Sequence, residues 1–286
     1  MTTRTWRMPT TVWRFARRKP MGVVGILIVC LLVVMALFAG PIARHNPDQV
    51  RALQRFQPPG SVFWFGTDDF GRDVFSRVVY GARISLEIGI AAVLLGTSVG
   101  ALVGLISGYF GGRADLVVQR VMDALMAFPT LVLALAVVAA LGASLPNVIV
   151  AVALTLIPSA NRVVRSVALS VRATDYVMAA RALGGSEWRV VFIHVLPNCF
   201  APYVIIATAN LGTAILAEAA LGFLGLGVPP PTPAWGSMLS GAAQNHLYRA
   251  PWMAVYPGVA ISLAVFGFNM FGDALRDVLD PRLRGR

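Results

Sequence analysis

Five stretches of this 286-residue sequence, 21–43, 88–112, 124–161, 195–216 and 250–272, contain no Asp, Glu, Lys or Arg. A helix of about 20 apolar residues crosses the hydrocarbon of a bilayer, because it satisfies its own backbone hydrogen bonds. Each run is long enough for one crossing. The run 124–161 holds most of two, parted by the turn composition Gly142-Ala-Ser-Leu-Pro146-Asn147. The pattern predicts an all-α integral membrane protein with six transmembrane helices, near 21–41, 84–108, 116–141, 147–169, 198–224 and 251–273. Soluble domains carry far more charge than the 13% found here, and 57% of the residues are hydrophobic.

The formal net charge is nevertheless +11. Basic residues accumulate on the cytoplasmic loops of membrane proteins, and that placement accounts for the excess without nucleic acid as a partner. The tail before Pro20 has Arg4, Arg7, Arg14, Arg17, Arg18 and Lys19 and no acid. Segment 162–189 has Arg162, Arg165, Arg172, Arg181 and Arg189 against Asp175 and Glu187, and the last eleven residues have four Arg against two Asp. Loop 142–147 is uncharged and 225–250 holds only Arg249, while 42–83 is near balance with six Arg and four Asp. An even number of spans with both termini in the cytoplasm follows. The first apolar core, about 20 residues, exceeds the 7–15 of a cleaved signal peptide, so it is read as a retained span. Two units are expected: 1–80, with the tail, the first span and an external segment, and 81–286, with five spans.

Between the fourth and fifth spans the chain breaks off to write AARALGGSEWRVVFIHVLP over 179–197. Thr174 or Asp175 can cap a helix there, and Gly184-Gly185 can end it in a left-handed turn. The predicted helix covers about 174–185, with Tyr176, Ala180 and Leu183 as an apolar stripe. So short a helix is unstable alone, and something has to hold it. Pro197 then opens the fifth span, where a first helical turn tolerates proline. On periodicity alone, a connecting helix lying on the inner leaflet is the favoured reading.

The stretch resembles the cytoplasmic loop of ATP-binding-cassette importer permeases, in which Glu-Ala-Ala is followed by Gly and then by Ile-x-Leu-Pro. Ala179, Ala180, Gly184, Leu196 and Pro197 fall in register, while Met178 stands at the family's Glu and His194 at its Ile. Two further stretches are similar to dipeptide and oligopeptide importers: Gly66-Thr-Asp-Asp-Phe-Gly-Arg-Asp-Val-Phe-Ser-Arg77 and Phe223-Leu-Gly-Leu-Gly-Val-Pro-Pro-Pro-Thr-Pro-Ala-Trp-Gly-Ser-Met-Leu239. The resemblance implies the type I importer permease architecture in the cytoplasmic membrane. It implies a complex with a homologous permease, two ABC ATPase subunits and an extracytoplasmic substrate-binding protein, and di- or oligopeptides as cargo. It further implies that Tyr176, Ala179, Ala180, Arg181, Leu183 and Gly184, with Leu196 and Pro197, form the coupling site for an ATPase.

The residues themselves add boundaries. The only lysine, Lys19, precedes Pro20, so the chain has no phosphate-cradling Gly-x-x-x-x-Gly-Lys-Ser/Thr loop. No cofactor is therefore expected here, and ATP and magnesium belong to partner subunits. His45, His194 and His246 are scattered, which argues against a metal site. No nucleophile–base constellation supports an enzyme.

Acids near the spans require a reason, because charge in hydrocarbon is costly. Glu87, a possible pathway residue alongside Glu218, can pair with Arg83 four residues earlier, and Asp123 lies three residues from Arg120. Glu218 either bonds a neighbouring helix or lines a water-facing pathway. Gly96, Gly100, Gly104 and Gly108 form a close-packing face, directed within the subunit or against the partner permease. Loop 228–239, with Pro230, Trp235 and Met238, suits an interfacial anchor, a lid or a docking surface. Asp68, Asp69, Arg72 and Asp73 offer a second docking surface. A nickel or other small-solute importer has the same architecture. An ion-coupled secondary carrier would show broken helices and internal repeats, which the sequence lacks.

Overall fold

The computed structural model describes residues 20–279, apart from the side chains of 242–245. The basic tail through Lys19, and Arg282, Arg284 and Arg286 at the other end, lie outside the described residues. Among the described residues, nine principal helices follow in chain order: α1 (Pro20–Leu37), α2 (Val74–Phe110), α3 (Gly112–Met126), α4 (Thr130–Leu141), α5 (Leu145–Arg172), α6 (Asp175–Ala182), α7 (Glu187–Phe223), α8 (Trp235–Asn245) and α9 (Trp252–Leu279). Five of them are long and apolar enough to cross a membrane, and the bent pair α3–α4 makes a sixth crossing if taken as one.

That pair corrects the expected third span. Instead of one helix over 116–141, two helices meet at 92°. Phe128 precedes Pro129, which bars it from the helical region and removes an N–H from the next turn. At 1.5 Å per residue, neither α3 nor α4 reaches the roughly 30 Å of hydrocarbon alone. α3 is amphipathic: Asp115, Gln119 and Asp123, spaced by four, face α5, while Leu116, Val117 and Val121 point away from the core. Asp123 pairs with Arg162 at 2.7 Å.

α2 and α5 form the central pair. A Cβ at Gly96, Gly100 or Gly104 would run into the carbonyl oxygens of Ala153, Ile157 and Asn161, and one at Gly108 would come within 2.9 Å of that of Arg165. Both sets repeat every four residues, so two ridges mesh turn by turn with their backbones nearly touching. The glycine face therefore packs inside the subunit. The boundary expected at 80/81 falls within α2, and α1 packs on α9 through Gly25 and Gly267.

α7 begins at Glu187, ten residues before Pro197, so Leu196 and Pro197 lie inside a helix rather than at its start. The turn over Val191–Val195 widens to π geometry. Pro197 supplies no N–H to the preceding turn and its ring presses on the carbonyl four residues back, which a widened turn relieves. The loop after α7 also holds a helix the sequence did not suggest, α8, which follows turns and bends over 224–232.

Candidate functional site

The short loop helix α6 is built as the sequence suggests at its C-terminus. Gly184 N–H donates to Arg181 O (2.9 Å) and Gly185 N–H to Ala180 O (3.1 Å), with Gly184 at φ +82°. This is the double hydrogen bond that closes a helix through a left-handed residue. At the other end Thr174 takes the cap position, but its Oγ1 donates to Val171 O at 2.6 Å and makes no cap bond. Asp175, in the first turn, complements the helix dipole instead.

The buried face of α6 differs from the expected stripe. Val177 is fully buried and Ala180 packs beside it, in a cluster with Leu105 and Tyr109 of α2, Val164 and Ala168 of α5, and Val190, Val191 and Val195 of α7. Tyr176 and Leu183 of that stripe point outward, together with Met178 and Ala179. Leu183 is 88% exposed. Arg181 turns inward: its Nε donates to the Tyr109 hydroxyl at 3.2 Å and its Nη2 contacts Glu187 at 3.1 Å. The Tyr109 hydroxyl also donates to Glu187. That hydroxyl, then Glu187, hold the guanidinium further above its ordinary pKa. Tyr109 and Glu187, which fix the helix in place, carried no signal in the sequence because they lie 72 and 6 residues from Arg181. Asn198 Nδ2 adds a bond to the Tyr176 hydroxyl (3.1 Å).

The opposite end of α2 is laced to segment 44–73 and to the loop after α7. Asp73 caps α2, accepting from Ser76 N–H (3.3 Å), Ser76 Oγ (2.6 Å) and His45 Nδ1 (3.2 Å). Asp68 accepts from the N–H groups of Phe70 and Arg72 and from Arg72 Nε at 2.6 Å. Asp68 and Asp73 are buried, which removes them from the expected docking set. Asp69 keeps 29% of its side chain exposed, with Arg72 Nη2 3.8 Å away. Burial, and then Asp68, push its carboxyl above the ordinary carboxylate range. Arg77 reaches Pro47 O (3.0 Å) and Pro231 O (3.4 Å) and ties the external segment to the proline loop. Asp69, Arg72, Pro230 and Met238 line one cavity of about 480 Å³.

Trp235 corrects the reading of an interfacial anchor or exposed docking residue. It is fully buried, and its Nε1 donates to Val78 O at 2.9 Å. Its indole lies against Gly81, where a Cβ would stand 2.8 Å from the ring. Glu218 is also wholly buried, with no hydrogen-bond partner for either oxygen and Ser85 as its polar neighbour. Among the described residues, Glu218 therefore faces no solvent. Glu87 is exposed on α2, and the expected pair with Arg83 is not formed. Asp115, by contrast, takes a two-pronged contact from Arg165 at 2.7 and 2.6 Å.

Residues 100–285 match the family described as binding-protein-dependent transport system inner membrane component, and residues 10–59 match the N-terminal TM domain of oligopeptide transport permease C. Similarity extends along nearly the whole chain. The dipeptide transport system permease protein DppC of Alkalihalophilus pseudofirmus is 45% identical, covering 95% of this chain and 90% of that protein. The glutathione transport system permease protein GsiD of Pectobacterium atrosepticum is 41% identical over 95% of this chain and 90% of its own length. The di/tripeptide transport system permease protein DppC of Pseudomonas aeruginosa is 42% identical, with 91% and 88% covered.

Proposed function

The chain belongs to the family of binding-protein-dependent transport system inner membrane components, and from that premise we propose that it is one of two permease subunits of an ATP-driven importer of short peptides. The relatives named for dipeptides and for di- and tripeptides, alike over almost their full length, favour that cargo over nickel or another small solute. A homologous permease completes the pathway. Two ATPase subunits bind ATP and magnesium, and an extracytoplasmic binding protein delivers the cargo.

The observation that carries the coupling role is the outward face of α6. Tyr176, Ala179 and Leu183 present apolar surface beyond the end of a membrane helix, while Val177 and Arg181 hold the helix from behind. Tyr176, Met178 and Leu183 together make an exposed apolar patch on one short helix, the kind of surface a partner's cleft covers. In this arrangement Ala180 and Arg181 position the helix, and Tyr176, Ala179 and Leu183 touch the motor. The orientation follows: α6 and both termini are cytoplasmic, and the cavity lined by Asp69 and Met238 faces the binding protein.

The test is an assembled transporter carrying Leu183→Asp or Ala179→Asp. Both substitutions lie on the exposed face, so insertion and folding persist. ATPase subunits no longer co-purify, and ATP-linked peptide uptake falls at least tenfold. Retained ATPases with normal uptake in both variants would remove the coupling assignment.

A further inference from the structure

At the outer end of α2, Arg83 and Glu87 stand one turn apart and both are exposed. Neither has a hydrogen bond or ion pair among the described residues. Neighbours at this spacing have Cβ atoms about 5–6 Å apart, and a basic residue preceding an acidic one is the weaker order for pairing along a helix. Each charge is thus left to the space in front of it. That space is a cavity of about 400 Å³, walled by Pro47, Tyr80 and Pro233 and bordered by Asp48. Asp48 is already engaged by Arg77 at 3.3 Å, which leaves one free cation and one free anion at the mouth.

The same α2 face continues inward. Tyr80, Glu87, Leu94 and Ala101 recur every seven residues, and Ser98, Ala101 and Leu105 line a second, apolar groove of about 240 Å³ with Cys199 and Phe200. One helix face therefore runs from a charged outer mouth to an apolar inner groove. A zwitterion whose two ends are separated by two or three residues, at most about 7–11 Å when extended, matches a mouth of this size with opposite charges one turn apart. Pockets of about 300–1,000 Å³ are the usual size for such ligands.

We propose that Arg83 and Glu87 form a receiving site for the free termini of a short peptide, with Glu87 taking the ammonium and Arg83 the carboxylate. The site rests on the peptide-importer reading and assigns where the cargo is first held by this subunit. Charge-assisted hydrogen bonds from Arg83 and to Glu87 replace the water lost by each terminus. Proline walls accept side chains without regard to their identity.

The experiment uses the assembled transporter in proteoliposomes, with trialanine, its N-acetyl form and its C-amide form, each at concentrations that saturate the binding protein. In Glu87→Gln, the ratio of kcat/KM for trialanine to that for the N-acetyl form drops about tenfold, the loss expected of one charged hydrogen bond. In Arg83→Gln, the ratio to the C-amide form drops likewise. Ratios that stay at the unmodified value overturn the proposal. If both rates fall together at a constant ratio, the pair belongs to protein docking instead. Failure of the unmodified assembly to take up any peptide, while it hydrolyses ATP, would defeat the cargo reading itself.

Discussion

Gly184 shows how one residue fixes the contact face of α6. Its φ of +82° is left-handed, and nothing stands within 4 Å of where a Cβ would sit. Substitution therefore meets backbone strain alone, about 1–2 kcal/mol for a residue with a Cβ. Asn tolerates this region better than Val. An eight-residue helix is marginal on its own, so even this penalty opens the terminal turn. Gly184→Val should lower ATP-linked uptake at least tenfold without loss of membrane insertion, and Gly184→Asn should retain most of it, as measured in vesicles with matched protein levels. The glycine was legible because its role is local. Arg181 was not, because its partners come from α2 and α7. Trp235 was misread for a similar reason: its place beside Gly81 depends on a contact between segments 150 residues apart. Trp235→Ala should cost about 3–5 kcal/mol and lower the melting temperature of the purified protein in detergent. At Glu218, Gln fits the same space without a charge to bury and can donate to the unpartnered Ser85 hydroxyl. Near-normal uptake by Glu218→Gln and poor accumulation of Glu218→Lys are the expected results.

Among elements, the α2–α5 pair was written in the glycines spaced by four, but their partner was not. The facing carbonyls of Ala153, Ile157 and Asn161 are backbone atoms, and any sequence supplies backbone. Gly100→Val pushes two branches toward Ile157 O and Ala160, and should abolish accumulation of the folded protein in membranes. Leu94→Ala, on the exposed side of the same helix, should change it little. The break of the third crossing could have been read from Phe128-Pro129 and from the polar spacing of Asp115, Gln119 and Asp123. An uncharged run beginning at Ala124 masked both, since hydropathy averages over a bend. α3 is held by polar contacts to α5, which no count of apolar residues detects.

For the whole molecule, the length of α2 is the organising quantity. Its 37 residues span about 55 Å at 1.5 Å per residue, well beyond the roughly 30 Å of hydrocarbon. One crossing leaves a surplus of roughly 25 Å. Asp73 and Arg77 anchor the external segment to one end, and Tyr109 anchors Arg181 and α6 at the other. A helix that crosses once puts sites at its two ends on opposite sides of the membrane, which is the arrangement the proposed function requires. Leu53 and Leu183 are the natural reporters, because the side chain of each is almost fully exposed. Arg181 is a poor reporter, since its replacement would loosen the helix it holds. With Cys30 and Cys199 first replaced by Ser and Ala, a cysteine at position 53 should react with a membrane-impermeant maleimide in intact cells. A cysteine at position 183 should react only after the membrane is opened. In the presence of the ATPase subunits, labelling at position 183 should fall further, because the same face is then covered. Reaction of both positions from the exterior would contradict the length argument and, with it, the assignment of α6 to the ATP-bearing side.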